Sequence, residues 1–178
     1  MSNNKLLWRI QNLAKRSMEI LKLSNNISIV LEPMGNRFRS LENAAEIGDS
    51  VLHVNLDWLR TMDEQGKESE IRLLIYHEIR HVYQHSEISK WKNKQQTEES
   101  QMTIARWELE FNQYHRNEGG ASTIRYFSQF IEIDAYAFGM YLLNLDVQRG
   151  EKLDLETQSI PDEVFPLIIN RMKEIAYK

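Results

Sequence analysis

His77-Glu78-Ile79-Arg80-His81 places two imidazoles four residues apart, with a carboxylate beside the first. Residues four apart on a helix share a face, so both rings can reach one ion. Glu78 is turned by about 100° from His77 at 3.6 residues per turn, so it borders such an ion without having to ligate it. Zinc takes nitrogen ligands at about 2.0–2.1 Å in a tetrahedron, and a catalytic site keeps one position for water. The metal lowers the pKa of that water to about 7, and a neighbouring carboxylate can take its proton. The spacing therefore predicts Zn2+ held by His77 and His81, with Glu78 as general base. The plainer alternative is a helix whose two surface histidines happen to flank a glutamate.

A third ligand has to come from elsewhere in the chain. There is no cysteine, which leaves histidines and carboxylates as the good metal ligands. His85 continues the series 77, 81, 85, but it stands about 12 Å along the helix from His77 at 1.5 Å per residue, too far to share an ion. The apolar segment 129–139 contains two carboxylates, Glu132 and Asp134. Buried carboxylates are costly without a partner or a metal. Two residues apart means about 200° apart on a helix, so only one of them can face the ion. Glu132 shares its face with Ser128, Gln129, Ala135 and Gly139, small or polar residues that permit close helix approach. Asp134 shares its face with Phe127, Phe130, Ile131 and Phe138. Glu132 is favoured as the third ligand, with Asp134 as the alternative. The plainer alternative is that both make salt bridges or cap contacts, in which case Glu108, Glu110 or His115 come next.

The segment 77–81 resembles the HExxH zincins, and a downstream glutamate on a later helix resembles their gluzincin branch. Glu132-Ile-Asp-Ala-Tyr-Ala-Phe is similar to a segment of the small cytosolic ImmA/IrrE-type metallopeptidases. The resemblance implies His77, His81 and Glu132 as ligands and Glu78 as general base. It also implies a strand region ahead of the HExxH helix. The chain departs from that pattern at Asp134, where a glutamate is usual, and at Tyr136, where many gluzincins carry Asp or Asn. The pattern HExxHxxGxxH is not met either, since its Gly and third His positions hold Gln84 and Glu87.

These residues need a scaffold. Leu6, Ile10, Leu13, Ile20 and Leu21 predict an amphipathic helix over 5–22, ended by Asn25-Asn26. A strand is expected at 27–31, then a hairpin of 43–47 and 51–55 about Gly48-Asp49. A short helix over 57–62 and a polar loop at 63–69 lead into the motif helix, about 70–86, striped by Ile71, Leu74, Ile75, Ile79 and Val82. A further helix is expected over 97–115, with Trp107, Phe111 and Tyr114 as an apolar stripe of core type. Lys90 to Lys94 reads as a solvated loop. Gly119-Gly120 breaks the chain, and Ser122 or Thr123 would cap one long helix reaching Leu145. The last helix would start at Ser159-Ile160-Pro161. The order is α+β: an N-terminal helix and small sheet, then the motif helix and further helices, in one zincin-like domain spanning 1–178.

Composition bounds the rest. An apolar share of 42% supports a packed core, and a net charge of −4 argues against a nucleic-acid binder working by bulk charge. No signal-peptide pattern and no apolar run long enough for a bilayer are present, so a cytoplasmic protein without a membrane partner is expected. Tyr126, Tyr136, Arg125 and His115 are the candidate oxyanion donors. The expected function is zinc-dependent hydrolysis of peptide bonds in a peptide or protein substrate. The alternatives are a catalytically silent zincin-like protein-binding module and a metal-free helical interaction protein.

Overall fold

The computed structural model describes residues 2–24, 27–48, 50–116, 121–153 and 160–177. Helix α1 (Asn3–Ile20) buries Leu6, Ile10, Leu13, Ala14 and Ser17, a stripe at helical spacing. Strands β1 (Ser28–Glu32), β2 (Ala45–Gly48) and β3 (Val51–Asn55) follow. They form one sheet in the order β1-β3-β2, with β3 parallel to β1 and antiparallel to β2. The β2–β3 pairing sets Gly48 opposite Val51. Of the turn residues expected there, Asp49 lies outside the described residues. Alternation along β3 sends Leu52 and Val54 fully into the core.

Asn55 ends β3 and starts helix α2 (Leu56–Glu64): its side-chain oxygen accepts from the Asp57 and Trp58 backbone N–H groups. Its Nδ2 donates to the Ser40 and Asn43 carbonyls, so one buried amide fixes the strand end, the helix start and the preceding loop. Helix α3 (Glu68–Lys92) is the axis of the molecule. Its buried residues fall on every side, as expected of a helix enclosed by its neighbours. It packs against α1, the sheet, α2, α4 (Gln101–Asn112) and, most extensively, α6 (Phe130–Gln148). Helix α5 (Ala121–Phe127) precedes α6, and α7 (Phe165–Ala176) lies along it.

The main core joins α1, the sheet, α2, α3 and α6. At Gly139 an added Cβ would lie 2.7 Å from Leu73 Cδ1 and 3.4 Å from the Leu73 carbonyl oxygen. Glycine here lets α6 approach α3 closely, and a methyl would require the Leu73 side chain to shift.

The fold is α+β in the expected order: helix, strands, helices. Four local expectations differ. The motif helix extends to Lys92, so Lys90, Trp91 and Lys92 are helical rather than loop. The 97–115 helix is shorter, starting after Ser100, whose hydroxyl accepts from Thr103 N–H. The single helix to Leu145 is two, because the chain breaks at Ser128-Gln129. There the Gln129 side chain donates to the His115 and Tyr126 carbonyls and accepts from His115 N–H, and these contacts, two of them to a residue fourteen positions earlier, hold its backbone extended. The last helix starts at Phe165, not near Pro161, and it is Pro166 that occupies the first turn. Asn25, Asn26, Gly119, Gly120 and Ser159 lie outside the described residues. No helix among the described residues is long and apolar enough to cross a membrane.

Candidate metal centre

His77 and His81 project from the middle of α3 toward the first turn of α6, where the break at Gln129 has placed Glu132. A helix N-terminus favours a carboxylate there. His77 Nε2 and His81 Nε2 are 3.0 Å apart. Glu132 Oε2 is 3.2 Å from His77 Nε2, and Glu132 Oε1 is 3.5 Å from His81 Nε2. Ligand atoms held at 2.0–2.1 Å from a tetrahedral ion are separated by about 3.3 Å. The imidazole separation and the two contacts from the Glu132 oxygens lie close to that edge length, and one ligand atom from each residue lies within 4.8 Å of the others. The residues thus fit a zinc ion, and they form the one such group of three among the described residues.

The polar bookkeeping of this triad is open. His77 Nδ1 and Glu132 Oε2 are buried without a hydrogen-bond partner among the described residues. Buried polar groups are rarely left this way unless they serve a ligand or ion. Burial disfavours the charged form of Glu132, yet His81 and His77 outweigh it and hold its carboxyl well below the usual range. Burial likewise disfavours a charged His81, but Glu132 overcomes it and raises the ring to about 9. Glu78, beside His77 and buried, is pushed up by that burial, with His77 and His81 pulling against it.

Asp134 stands elsewhere. Arg80 grips both of its oxygens, at 2.8 and 3.1 Å, and Arg171 from α7 adds a third contact at 2.7 Å. Burial opposes its ionisation, but Arg80 and Arg171 bring its pKa down to about 2. Gln84 Nε2 donates to Oδ2 at 2.8 Å as well, so each Asp134 oxygen accepts two hydrogen bonds. Glu110 accepts from Ile131 N–H at the start of α6, Glu108 pairs with Lys92, and the His115 ring meets Arg125. His53 pairs with Glu32 across the sheet. His85 stacks on Phe111, ring centroids 4.0 Å apart.

A cleft of about 810 Å³ opens over the triad. Residues 44–47, including edge strand β2, line one side; Phe111, Tyr114, Tyr126 and Tyr136 line another, and Glu78 faces it. The aromatic stripe on α4 therefore divides: Trp107 is core, whereas Phe111 and Tyr114 belong to the cleft. Tyr114 donates to Glu132 Oε1 at 3.0 Å. Burial and Glu132 push the phenols of Tyr114 and Tyr126 up, so both remain donors at neutral pH. Tyr136 packs its ring 4.3 Å from that of His77. Of the oxyanion candidates, Tyr126 and Tyr136 line the cleft; Arg125 and His115 engage each other instead.

Two roles escaped the sequence. Tyr114 looked like core because its neighbours at helical spacing are apolar. Gln84 was visible only as a departure from HExxHxxGxxH, though its position three after His81 puts it on the ligand face. No protein-family profile, curated protein or solved structure matches this chain.

Proposed function

We propose that this chain is a zinc-dependent hydrolase of peptide bonds, with His77, His81 and Glu132 holding the ion and Glu78 as general base. The observation that carries the reading is the convergence of three buried side chains, with the two imidazole Nε2 atoms 3.0 Å apart, one Glu132 oxygen 3.2 Å from His77 and the other 3.5 Å from His81, beneath a cleft that Glu78 also borders. When bound, zinc would supply Lewis acidity, making water a competent nucleophile near neutral pH and polarising a carbonyl. Glu78 then takes the proton from the attacking water and carries it to the leaving amine. Its burial raises its pKa toward the range in which a carboxylate can both accept and return a proton. Tyr126 and Tyr136, protonated at neutral pH, are placed to donate to developing negative charge on the substrate.

β2 is the edge of its sheet at the cleft wall, which suits an extended peptide or protein segment added as a further strand. The reading includes a cytoplasmic setting, which a chain without cysteine fits. The test is chemical. Protein purified without a histidine tag should carry about one zinc per chain and cleave members of a peptide library, and Glu78→Gln should keep the zinc while losing cleavage. Zinc without cleavage by the wild type would favour the silent protein-binding module; no zinc would remove the metal site altogether.

A further inference from the structure

For His81 to present a free lone pair at Nε2, its ring proton must sit on Nδ1. Gln84, three residues on in α3, determines that choice. Its Oε1 lies 2.8 Å from His81 Nδ1, and an amide oxygen can only accept, so the hydrogen must be on the ring. The amide itself cannot turn over. Its Nε2 donates to Asp134 Oδ2 at 2.8 Å and to the Ile131 carbonyl at 3.0 Å, two acceptors that an oxygen could not serve. Gln84 is fully buried, so water cannot replace any of these partners.

Asp134 is fixed in turn. Arg80 and Arg171 both hold it, and both also reach Glu99. A chain of buried polar contacts thus runs from α7 through Asp134 on α6 to the Gln84 amide, and ends on a metal-facing imidazole. His77 has no counterpart, since its Nδ1 is buried without a partner among the described residues.

We propose that Gln84 is a positioning residue of the metal centre: its amide, locked by Asp134 and the Ile131 carbonyl, holds His81 in the Nδ1-protonated form with Nε2 aimed at the ion. The inference rests on the metal-site reading above. Gln84 touches neither ion nor substrate and acts through His81 alone. Partners of this kind typically contribute 10–100-fold, as an order of magnitude, to metal affinity.

Zinc titration against a competing chelator, together with proton NMR of the imidazole N–H groups, tests it. In the zinc-loaded wild type the His81 Nδ1–H resonance should lie downfield of that of His77, as a hydrogen-bonded proton does. That observation needs no variant. Gln84→Met, nearly equal in volume, should weaken zinc binding by about 10–100-fold. It should also move the His81 resonance upfield while leaving that of His77 in place. A general loosening of the core would disturb both rings. If the wild type binds zinc but its His81 proton shows no hydrogen bond, or if a folded Gln84→Met binds zinc as tightly as the wild type, the role of Gln84 is refuted and the metal site stands. If the wild type takes up no zinc, the metal site and this inference fall together.

Discussion

Two buried carboxylates stand two residues apart on α6, both with no exposed surface, and their surroundings could hardly differ more. Asp134 meets two guanidinium groups and an amide, which saturate its oxygens. Glu132 meets two imidazoles and a phenol, and one of its oxygens has no hydrogen bond. The same amino-acid chemistry, in the same depth of protein, is structural where it is fully paired and available where it is not. Burial alone does not single out a candidate metal ligand; an oxygen without a hydrogen bond beside two imidazoles does.

The comparison can be broken most forcefully at the triad. His77→Ala, His81→Ala and Glu132→Ala should each abolish stoichiometric zinc, because two remaining ligands hold the ion poorly. Their folds should persist, with thermal stability falling only by the part that bound zinc supplies. Metal analysis and melting with and without added zinc read this directly. Retention of one zinc per chain in any of the three would remove that residue from the site.

Asp134→Asn should show the opposite pattern. Removing the Asp134 charge leaves Arg80 and Arg171 to share Glu99, and should cost up to about 3–5 kcal/mol of stability, measured by denaturant unfolding of the metal-free protein. Whatever chain remains folded should still bind zinc, with an affinity reduced through Gln84 rather than lost. A variant of native stability that cannot bind zinc would exchange the roles given to Asp134 and Glu132.

Gly139→Ala probes how closely the two helices must approach. The added methyl meets Leu73 Cδ1, the end of a side chain that can partly move, but also nears the Leu73 carbonyl. A loss of about 1–3 kcal/mol is expected, together with weaker zinc binding as α6 and Glu132 move off the histidines. Unchanged stability would show that the contact has slack. Tyr114→Phe, the mildest change, removes one hydrogen bond to Glu132 and should cost about 1 kcal/mol or less of zinc affinity. A larger loss in the same chelator competition would make Tyr114 part of the ligand set's support rather than an accessory.

How far these features were legible in the chain depends on the range of the interactions that create them. His77, Glu78 and His81 lie within one helical turn or so, and the period of the helix alone brings the rings together. Glu132 was favoured over Asp134 because its face is small, and Gly139 against Leu73 is where that smallness is used. Asp134, the alternative ligand, is instead engaged by Arg80 and Arg171, whose approach depends on how α3, α6 and α7 register. The break before α6 was illegible for the same reason: Gln129 turns the chain by bonding to His115, fourteen residues earlier. Among the prolines, Pro161 had a good capping sequence before it, yet the helix waits for Pro166. Gln84 and Glu87, which occupy the Gly and third His positions of a longer zinc motif, look like losses in one dimension. In three, Gln84 bonds to the His81 ring, and Glu87 accepts from the backbone N–H groups of Glu98 and Glu99 ahead of α4.

The most direct measurement is anomalous X-ray scattering at the zinc edge from crystals of the tag-free protein grown with the metal. The account predicts one strong peak at about 2.0–2.2 Å from His77 Nε2, His81 Nε2 and a Glu132 oxygen, with Asp134 still clasped by Arg80 and Arg171. A peak ligated by Asp134, or no ordered zinc between the two histidines, would contradict it.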